Sequence, residues 1–202
     1  MAELNEHDVA GIKDKFELTE FFETGTGEGG GVAYALESGF KNVTSCDLMM
    51  TTVKLAKNRF GNKAKIIQAK SHEAISMVQW SRNAGFEYTG RTLWYLDAHF
   101  PGVDTGLIAW ETSYADFKEE FIPLSKELDA ILTGPYRNDV IIIDDAFLFR
   151  GGLLGHPVND RCPIEMCRHS LGSIETHLDT LSATHDVKVI ATGTGAFVIT
   201  PK

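Results

Sequence analysis

The sequence is poor in basic residues. Its 202 residues include 19 Lys and Arg against 28 Asp and Glu, which gives a formal net charge of −9, and no long basic run is present. Proteins that bind nucleic acids cluster Lys and Arg on one surface to neutralise phosphates. We therefore expect that this protein has no nucleic-acid partner.

Long hydrophobic runs and cysteine pairs are also missing. No apolar run reaches the roughly 18–20 residues that span a bilayer, and the first segment, MAELNEHDVAGIKDKF, is polar and acidic, unlike a secretory signal. The three cysteines, Cys46, Cys162 and Cys167, are odd in number and lack CxxC spacing, which favours free thiols over disulfides or structural zinc. We expect no membrane partner and a cytoplasmic location.

Glycine, in contrast, is concentrated near the N-terminus. The stretch ETGTGEGGGV, residues 23–32, contains five glycines and follows an apolar segment, residues 16–22. Glycine costs backbone entropy, so a cluster of it indicates positive φ angles or a close approach of the backbone to a ligand. The stretch therefore predicts a turn between a first strand and a helix, with a ligand as one explanation for its composition.

The remaining sequence alternates short apolar runs with helical patterns that end at glycine. Five strand–helix units are followed by a hairpin in DVKVIATGTGAFVITPK, residues 186–202. This order predicts a single α/β domain over residues 1–202, a doubly wound Rossmann-like sheet that is mostly parallel with an antiparallel C-terminal edge strand. Two segments without a predicted element, residues 101–112 and 148–163, follow strands four and five, where open α/β sheets bind ligands.

The glycine stretch contains the pattern Gly25-x-Gly27-x-x-Gly30, and Asp47 ends the next strand. Glycines let the backbone approach a ligand at a helix N-terminus, and a carboxylate at the end of the second strand can accept hydrogen bonds from a ribose. A nucleoside ligand is therefore predicted. A nicotinamide dinucleotide and S-adenosylmethionine (SAM) remain open, as does a glycine turn that only packs the helix on the sheet.

Acidic residues at the strand ends favour SAM. Glu23 directly precedes the glycine pattern, Asp97 follows strand four, and Asp144 and Asp145 follow strand five. A carboxylate at Glu23 would repel a pyrophosphate but attract a sulfonium and an ammonium group.

Four motifs, ETGTGEGGG, TSCDL, LWYLDAHF and VIIIDDAF, resemble class I SAM-dependent methyltransferases over residues 18–150. Within these, the sequence is most similar to the metal-dependent sugar O-methyltransferases of the macrocin type. The resemblance implies SAM as the cofactor, with the methionine part near the glycine stretch, the ribose near Asp47 and the adenine near Ser71. The implied cofactor-binding residues are Glu23, Gly25, Thr26, Gly27, Asp47, Leu48, Ser71 and Asp97.

The resemblance also implies a divalent cation, with Mg²⁺ as the candidate, bound by Asp97, Asp144 and Asp145. His99 stands where the family has a second acid, and His99 or Asp97 would be the base that takes the proton of the acceptor hydroxyl. One departure lies after strand three, where Lys70, Ser71 and His72 replace an acid near the adenine.

These observations predict O-methylation of a small molecule or sugar with metal assistance. The expected partner is the small-molecule acceptor, and a homo-oligomer is an alternative in which a second subunit completes the acceptor pocket. Two other functions remain open at this point: an NAD(P)-dependent oxidoreductase, and a Rossmann-like module that binds a nucleoside without catalysis.

Overall fold

The computed structural model describes residues 4–103, 105–135, 138–149, 174–191 and 194–202. These residues contain seven strands and seven α-helices. The strands are β1 (Leu18–Thr24), β2 (Asn42–Asp47), β3 (Lys65–Gln68), β4 (Arg91–Leu96), β5 (Val140–Ile143), β6 (His185–Ile190) and β7 (Ala196–Pro201). The helices are α1 (Val9–Lys15), α2 (Gly30–Glu37), α3 (Met50–Phe60), α4 (Ser71–Ala84), α5 (Trp110–Asp116), α6 (Leu124–Leu132) and α7 (Ile174–Ser182).

The strands form one sheet in the order β3-β2-β1-β4-β5-β7-β6. Strands β1 to β5 pair in parallel, and β7 pairs antiparallel with both β5 and β6. The doubly wound, mostly parallel sheet and its C-terminal hairpin are therefore confirmed. The reversed strand β7 lies one position inside the edge, because the hairpin places β6 on the outside. Among the described residues, no helix combines the length and the apolar character that crossing a bilayer requires.

The sheet is buried on both faces, as its apolar strands predict. Phe22, Trp94 and Ile141 belong to the hydrophobic cluster that α4, α6 and α7 cover. Phe21 and Ile142 belong to a second cluster on the opposite face, with residues of α2 and α3. Successive strand residues thus alternate between two cores.

The helix boundaries follow local chemistry. Gly61 and Gly85 end α3 and α4 with positive φ angles of 54° and 71°, as glycine at a helix end should. The sequence pattern predicts a helical stretch over residues 113–134 with a break at Pro123. The structure has two helices here, α5, which begins earlier at Trp110, and α6, which begins directly after Pro123. The sequence pattern also predicts a helix over residues 164–184, and the described part of this range, residues 174–184, contains α7. Cys162, Cys167 and most of the segment 148–163 lie outside the described residues.

A buried ion pair joins helix α4 to the amino end of the sheet. Arg82 of α4 places Nη1 2.6 Å from Asp139 Oδ2, and both side chains are at most 1% exposed. The Thr92 N–H and the Trp94 Nε1–H also donate to Asp139, each at 2.8 Å. Because Asp139 directly precedes β5 and Thr92 lies near the start of β4, this network lies at the end of the sheet opposite the strand termini described next.

Candidate functional site

A cavity of about 510 Å³ lies at the carboxyl ends of the parallel strands, in the size range of small-molecule sites. All eight predicted cofactor-binding residues line it, and so do His99 and Asp144. Asp145 is the one predicted site residue that is not part of the lining. The eight residues are Glu23, Gly25, Thr26, Gly27, Asp47, Leu48, Ser71 and Asp97.

The glycine loop between β1 and α2 forms one wall of this cavity. Gly25 and Gly27 have positive φ angles of 79° and 49°. A Cβ atom on Gly25 would lie 2.6 Å from the Asp97 carbonyl oxygen, whereas Cβ atoms on Gly27 and Gly30 would meet nothing within 4 Å. The loop is therefore pressed against the end of β4 on one side and leaves open space for a ligand on the other.

Glu23 is a buried carboxyl group at the floor of the cavity. Its side chain is almost completely buried, and its hydrogen-bond partner is the Ser45 hydroxyl, which donates to Oε2 at 2.6 Å and lies 2.7 Å from the Thr26 hydroxyl. Burial raises the pKa of Glu23 to about 8, with a smaller contribution from the Asp47 charge, and the Ser45 hydrogen bond opposes the shift. A positively charged ligand group at this position would favour the ionised form.

Asp47 joins the end of β2 to the glycine loop. Its Oδ2 accepts the Gly27 N–H at 3.1 Å and its Oδ1 accepts the Met49 N–H at 2.7 Å. Each carboxylate oxygen has a second lone pair, so the group can accept hydrogen bonds from a ligand diol while the backbone holds it in place. Burial raises the pKa of Asp47 above its usual value, and these backbone hydrogen bonds oppose the shift.

A second group of polar side chains lies where β4 and β5 end. Single ligand atoms from Asp97, His99 and Asp145 all lie within 4.8 Å of one another. His99 Nδ1 is 2.9 Å from the Asp97 carbonyl oxygen, and its Nε2 is 2.9 Å from Asp145 Oδ2. The geometry therefore groups His99 with two of the three predicted metal ligands.

Asp144, the third predicted metal ligand, is bound differently. It accepts a hydrogen bond of 2.5 Å from the Tyr95 hydroxyl. Tyr95 pairs in register with Glu23 and lies two residues before Asp97, so period-two alternation along β4 places it on the site's side of the sheet. Tyr95 is not among the site residues predicted from the sequence, and this alternation was the signal that could have identified it.

The three aspartates titrate differently because their surroundings differ. Burial, and then the charges of Asp144, Asp145 and Glu23, raise the pKa of Asp97 well above its usual value, while His99 opposes this shift. Burial and the Asp145 charge raise the pKa of Asp144 to about 6. Burial would also raise the pKa of Asp145, but the hydrogen bond and charge of His99 outweigh it and lower that pKa. The cluster therefore contains one carboxylate that is held ionised and two that bind protons more readily.

Glu127 is a further acidic residue next to the site, and it is not among the residues predicted from the sequence. It lies on α6 and is 1% exposed. Burial raises the pKa of Glu127 to about 7, and hydrogen bonds from the Ser71 and Thr24 side chains oppose the shift. Ser71 lines the cavity, and the Thr24 hydroxyl accepts hydrogen bonds from the Asp97 and Ala98 N–H groups at 3.2 and 3.3 Å. Glu127 therefore contacts both the start of α4 and the residue that holds the segment after β4.

Comparison with known proteins gives no match to a family model or to a curated protein sequence, but solved structures do match. A methyltransferase from Podospora anserina bound to S-adenosylhomocysteine (SAH) is similar over 96% of this chain and 76% of its own, with a TM-score of 0.61 and 15% identity. A putative caffeoyl-CoA O-methyltransferase from Staphylococcus aureus is similar over 100% and 85%, with a TM-score of 0.60 and 12% identity. An O-methyltransferase from Bacillus cereus in complex with SAH is similar over 96% and 79%, with a TM-score of 0.51 and 12% identity.

At these identities the similarity establishes the fold. The chain has the Rossmann-like fold of these methyltransferases, which confirms the predicted architecture. The likeness to macrocin-type enzymes and the predicted roles of the individual site residues stay predictions.

Proposed function

We propose that this protein is a SAM-dependent methyltransferase that transfers a methyl group to a hydroxyl oxygen of a small molecule. The observation that carries the proposal is the buried carboxyl group of Glu23 beside an open glycine loop. A buried carboxyl group is costly unless a partner compensates for its charge. The sulfonium and ammonium groups of SAM would supply that compensation.

The charge of the cavity argues against a dinucleotide. Glu23, Asp47, Asp97 and Asp144 line it around the glycine loop. Two like charges 4 Å apart repel by about 4 kcal/mol at an effective dielectric constant of 20. A diphosphate against this loop would be repelled by the carboxyl groups that are ionised, whereas a cationic cofactor would be attracted to them and would favour the ionised form of the others.

The shape of the sheet edge suggests how SAM would lie. Asp47 at the end of β2 would accept hydrogen bonds from the ribose hydroxyls, and the methionine part would extend over Gly25 and Gly27 towards Glu23. The methyl group would then point towards the ends of β4 and β5, where Asp97 and His99 lie. Holding the acceptor oxygen, the methyl carbon and the sulfur in line is the main contribution of a protein to this reaction.

In the transfer step, the acceptor oxygen forms a bond to the methyl carbon while the carbon–sulfur bond breaks. The electron pair of that bond stays on sulfur, and SAH leaves as a neutral thioether. The proton of the acceptor hydroxyl passes to a base, for which Asp97 and His99 are the candidates. Asp97 suits this role because burial and the neighbouring carboxylates raise its pKa, which makes its ionised form a stronger base, whereas both ring nitrogens of His99 already have oxygen atoms within 2.9 Å.

Metal assistance is part of the proposal because Asp97, His99 and Asp145 fit a divalent cation. A cation there would lower the pKa of an acceptor hydroxyl bound to it. One imidazole among two carboxylates favours Mn²⁺, Co²⁺ or Zn²⁺ more than an all-oxygen set would, so Mg²⁺ is one of several candidates. Asp145→Asn should weaken the binding of Mn²⁺ without weakening that of SAH. Equal Mn²⁺ affinity of the variant and the wild type by isothermal titration calorimetry would contradict this assignment.

The experiment that tests the proposal is a thermal shift series with SAM, SAH, NAD and NADP, each with and without Mg²⁺ or Mn²⁺. A ligand that binds only the folded state raises its stability by about 2.7 kcal/mol at a concentration of 100 Kd. We expect SAM and SAH to raise Tm and NAD and NADP to leave it unchanged. Stabilisation by NAD alone would identify an oxidoreductase. Binding of SAH without methyl transfer to any member of a hydroxyl acceptor panel would support the non-catalytic module.

A further inference from the structure

One end of the cavity lies beyond Asp47, at the end of β3. Strand β3 pairs with β2, and the Ala69 N–H donates to the Asp47 carbonyl oxygen at 3.2 Å. Lys70 and Ser71 follow and line the cavity, and Glu120 and Pro123 also line it. A nucleoside whose ribose binds Asp47 would therefore extend its base into the space between these two segments.

The two segments are joined by an ion pair. Lys70 Nζ lies 2.5 Å from Glu120 Oε1. The two partners differ in exposure, because 44% of the Lys70 side chain is exposed and only 12% of the Glu120 side chain. Glu120 is therefore the inner partner, and Lys70 holds its carboxylate from the solvent side.

The neighbouring acid shows that this burial is particular to Glu120. Glu119 forms a similar ion pair with Lys126, 2.7 Å between Oε2 and Nζ, but 74% of its side chain is exposed. Glu119 is also absent from the cavity lining. The two adjacent glutamates thus have the same charge and the same kind of partner but face different surroundings.

We propose that Glu120 selects the base of the nucleoside ligand, accepting a hydrogen bond from the amino group of a 6-aminopurine and rejecting its 6-oxo counterpart. A carboxylate only accepts hydrogen bonds. The exocyclic amine of adenine donates, whereas the carbonyl oxygen of hypoxanthine at the same position would face the carboxylate with a second acceptor. Leu48, Ala69 and Phe100 also line the cavity and offer apolar contacts to a flat base.

This inference rests on the proposed function, because it takes the nucleoside to be the adenosine part of SAM. It adds Glu120, from the segment between α5 and α6, to the residues at the strand ends that form the proposed cofactor site. A site that hydrogen-bonds one polar group rejects an isosteric analogue strongly, because a buried polar group is otherwise left unpaired.

The test compares the dissociation constants of SAH and of S-inosylhomocysteine, its deaminated analogue, by isothermal titration calorimetry. We expect the wild-type protein to bind SAH at least about tenfold more tightly. In Glu120→Gln the side-chain amide can turn either its oxygen or its NH₂ group to the base, so the ratio should fall below about threefold. The matched control Glu119→Gln should keep the wild-type ratio.

A second variant keeps the test decisive if Glu120→Gln folds poorly. Glu120→Asp keeps the charge opposite Lys70 but withdraws the carboxylate by one methylene group, and it should lower the ratio as well. A wild-type ratio in both variants, or a wild-type protein that binds both ligands equally, would overturn the role of Glu120. A wild-type protein that binds neither ligand would instead refute the proposed function, and this inference with it.

Discussion

Gly31 in the first turn of α2 lies directly over the carboxyl group of Glu23, so closely that a Cβ atom on Gly31 would overlap Glu23 Oε1. The same Cβ atom would lie 3.4 Å from the ring of Tyr95. The helix therefore covers the buried acid without leaving room for a side chain.

Gly31→Ala should displace Glu23 and destabilise the protein by about 1–3 kcal/mol, the usual cost of an extra methyl group in a packed region. It should also weaken SAH binding. Gly30→Ala is the matched control, because a Cβ atom there meets nothing within 4 Å and alanine is the better helix former by up to about 1 kcal/mol. Urea denaturation of both variants tests this difference, and equal stability of the two would contradict it.

Glu23→Gln should weaken the binding of SAM and SAH by about 10- to 100-fold, the range expected when a charged hydrogen bond is lost. Both ligands carry the ammonium group, and only SAM also carries the sulfonium. A larger loss for SAM than for SAH would place the sulfonium near Glu23. Isothermal titration calorimetry measures both dissociation constants. Glu73→Gln on the exposed face of α4 is the charge-matched control. Unchanged affinities in Glu23→Gln would argue against a cationic ligand group beside Glu23.

The stability of the ligand-free protein should fall as the pH rises from about 5 to about 8. Burial raises the pKa of Glu23 to about 8 and that of Glu127 to about 7, from an unfolded value of 4.5. In this window the folded state binds more protons than the unfolded state, so the free energy of unfolding decreases with pH, by at most about 1.4 kcal/mol per unit for each group.

Glu127→Gln removes one of these two groups and should flatten the decrease between about pH 5 and pH 7, and Glu73→Gln should not. Urea denaturation at three pH values across the window provides the measurement. A slope that is the same in Glu127→Gln and in the wild type would show that Glu127 ionises in the folded protein as it does in the unfolded chain.

Arg82→Met should destabilise the protein by about 3–5 kcal/mol, because it leaves the buried Asp139 carboxylate without its counterion. Lys65→Met is the control, since its ion pair with Glu87 lies at the surface, with side chains 54% and 64% exposed, and its loss should cost at most about 1 kcal/mol. Chemical denaturation compares the two, and similar losses would contradict a structural role for the Arg82 network.

The sequence predicted most of what depends on local pattern. Strand ends are visible in sequence because apolar runs stop there, so Asp47 and Asp97 could be placed at one sheet edge, and both line the cavity. Contacts between distant elements were not visible. Glu120 and Glu127 look like ordinary polar residues of an amphipathic segment, and their burial appears only when α6 packs against α4 and beneath the strand ends.

The Arg82–Asp139 network anchors α4, β4 and the segment before β5 at the edge of the sheet that faces away from the cavity. The buried ion-pair network and the cavity therefore lie at opposite ends of the sheet. Substitutions of side chains that line the cavity should change which ligands bind there and should leave the contacts of Arg82 and Asp139 intact. This separation would allow the acceptor selectivity of the proposed methyltransferase to be redesigned without disturbing the buried ion pair.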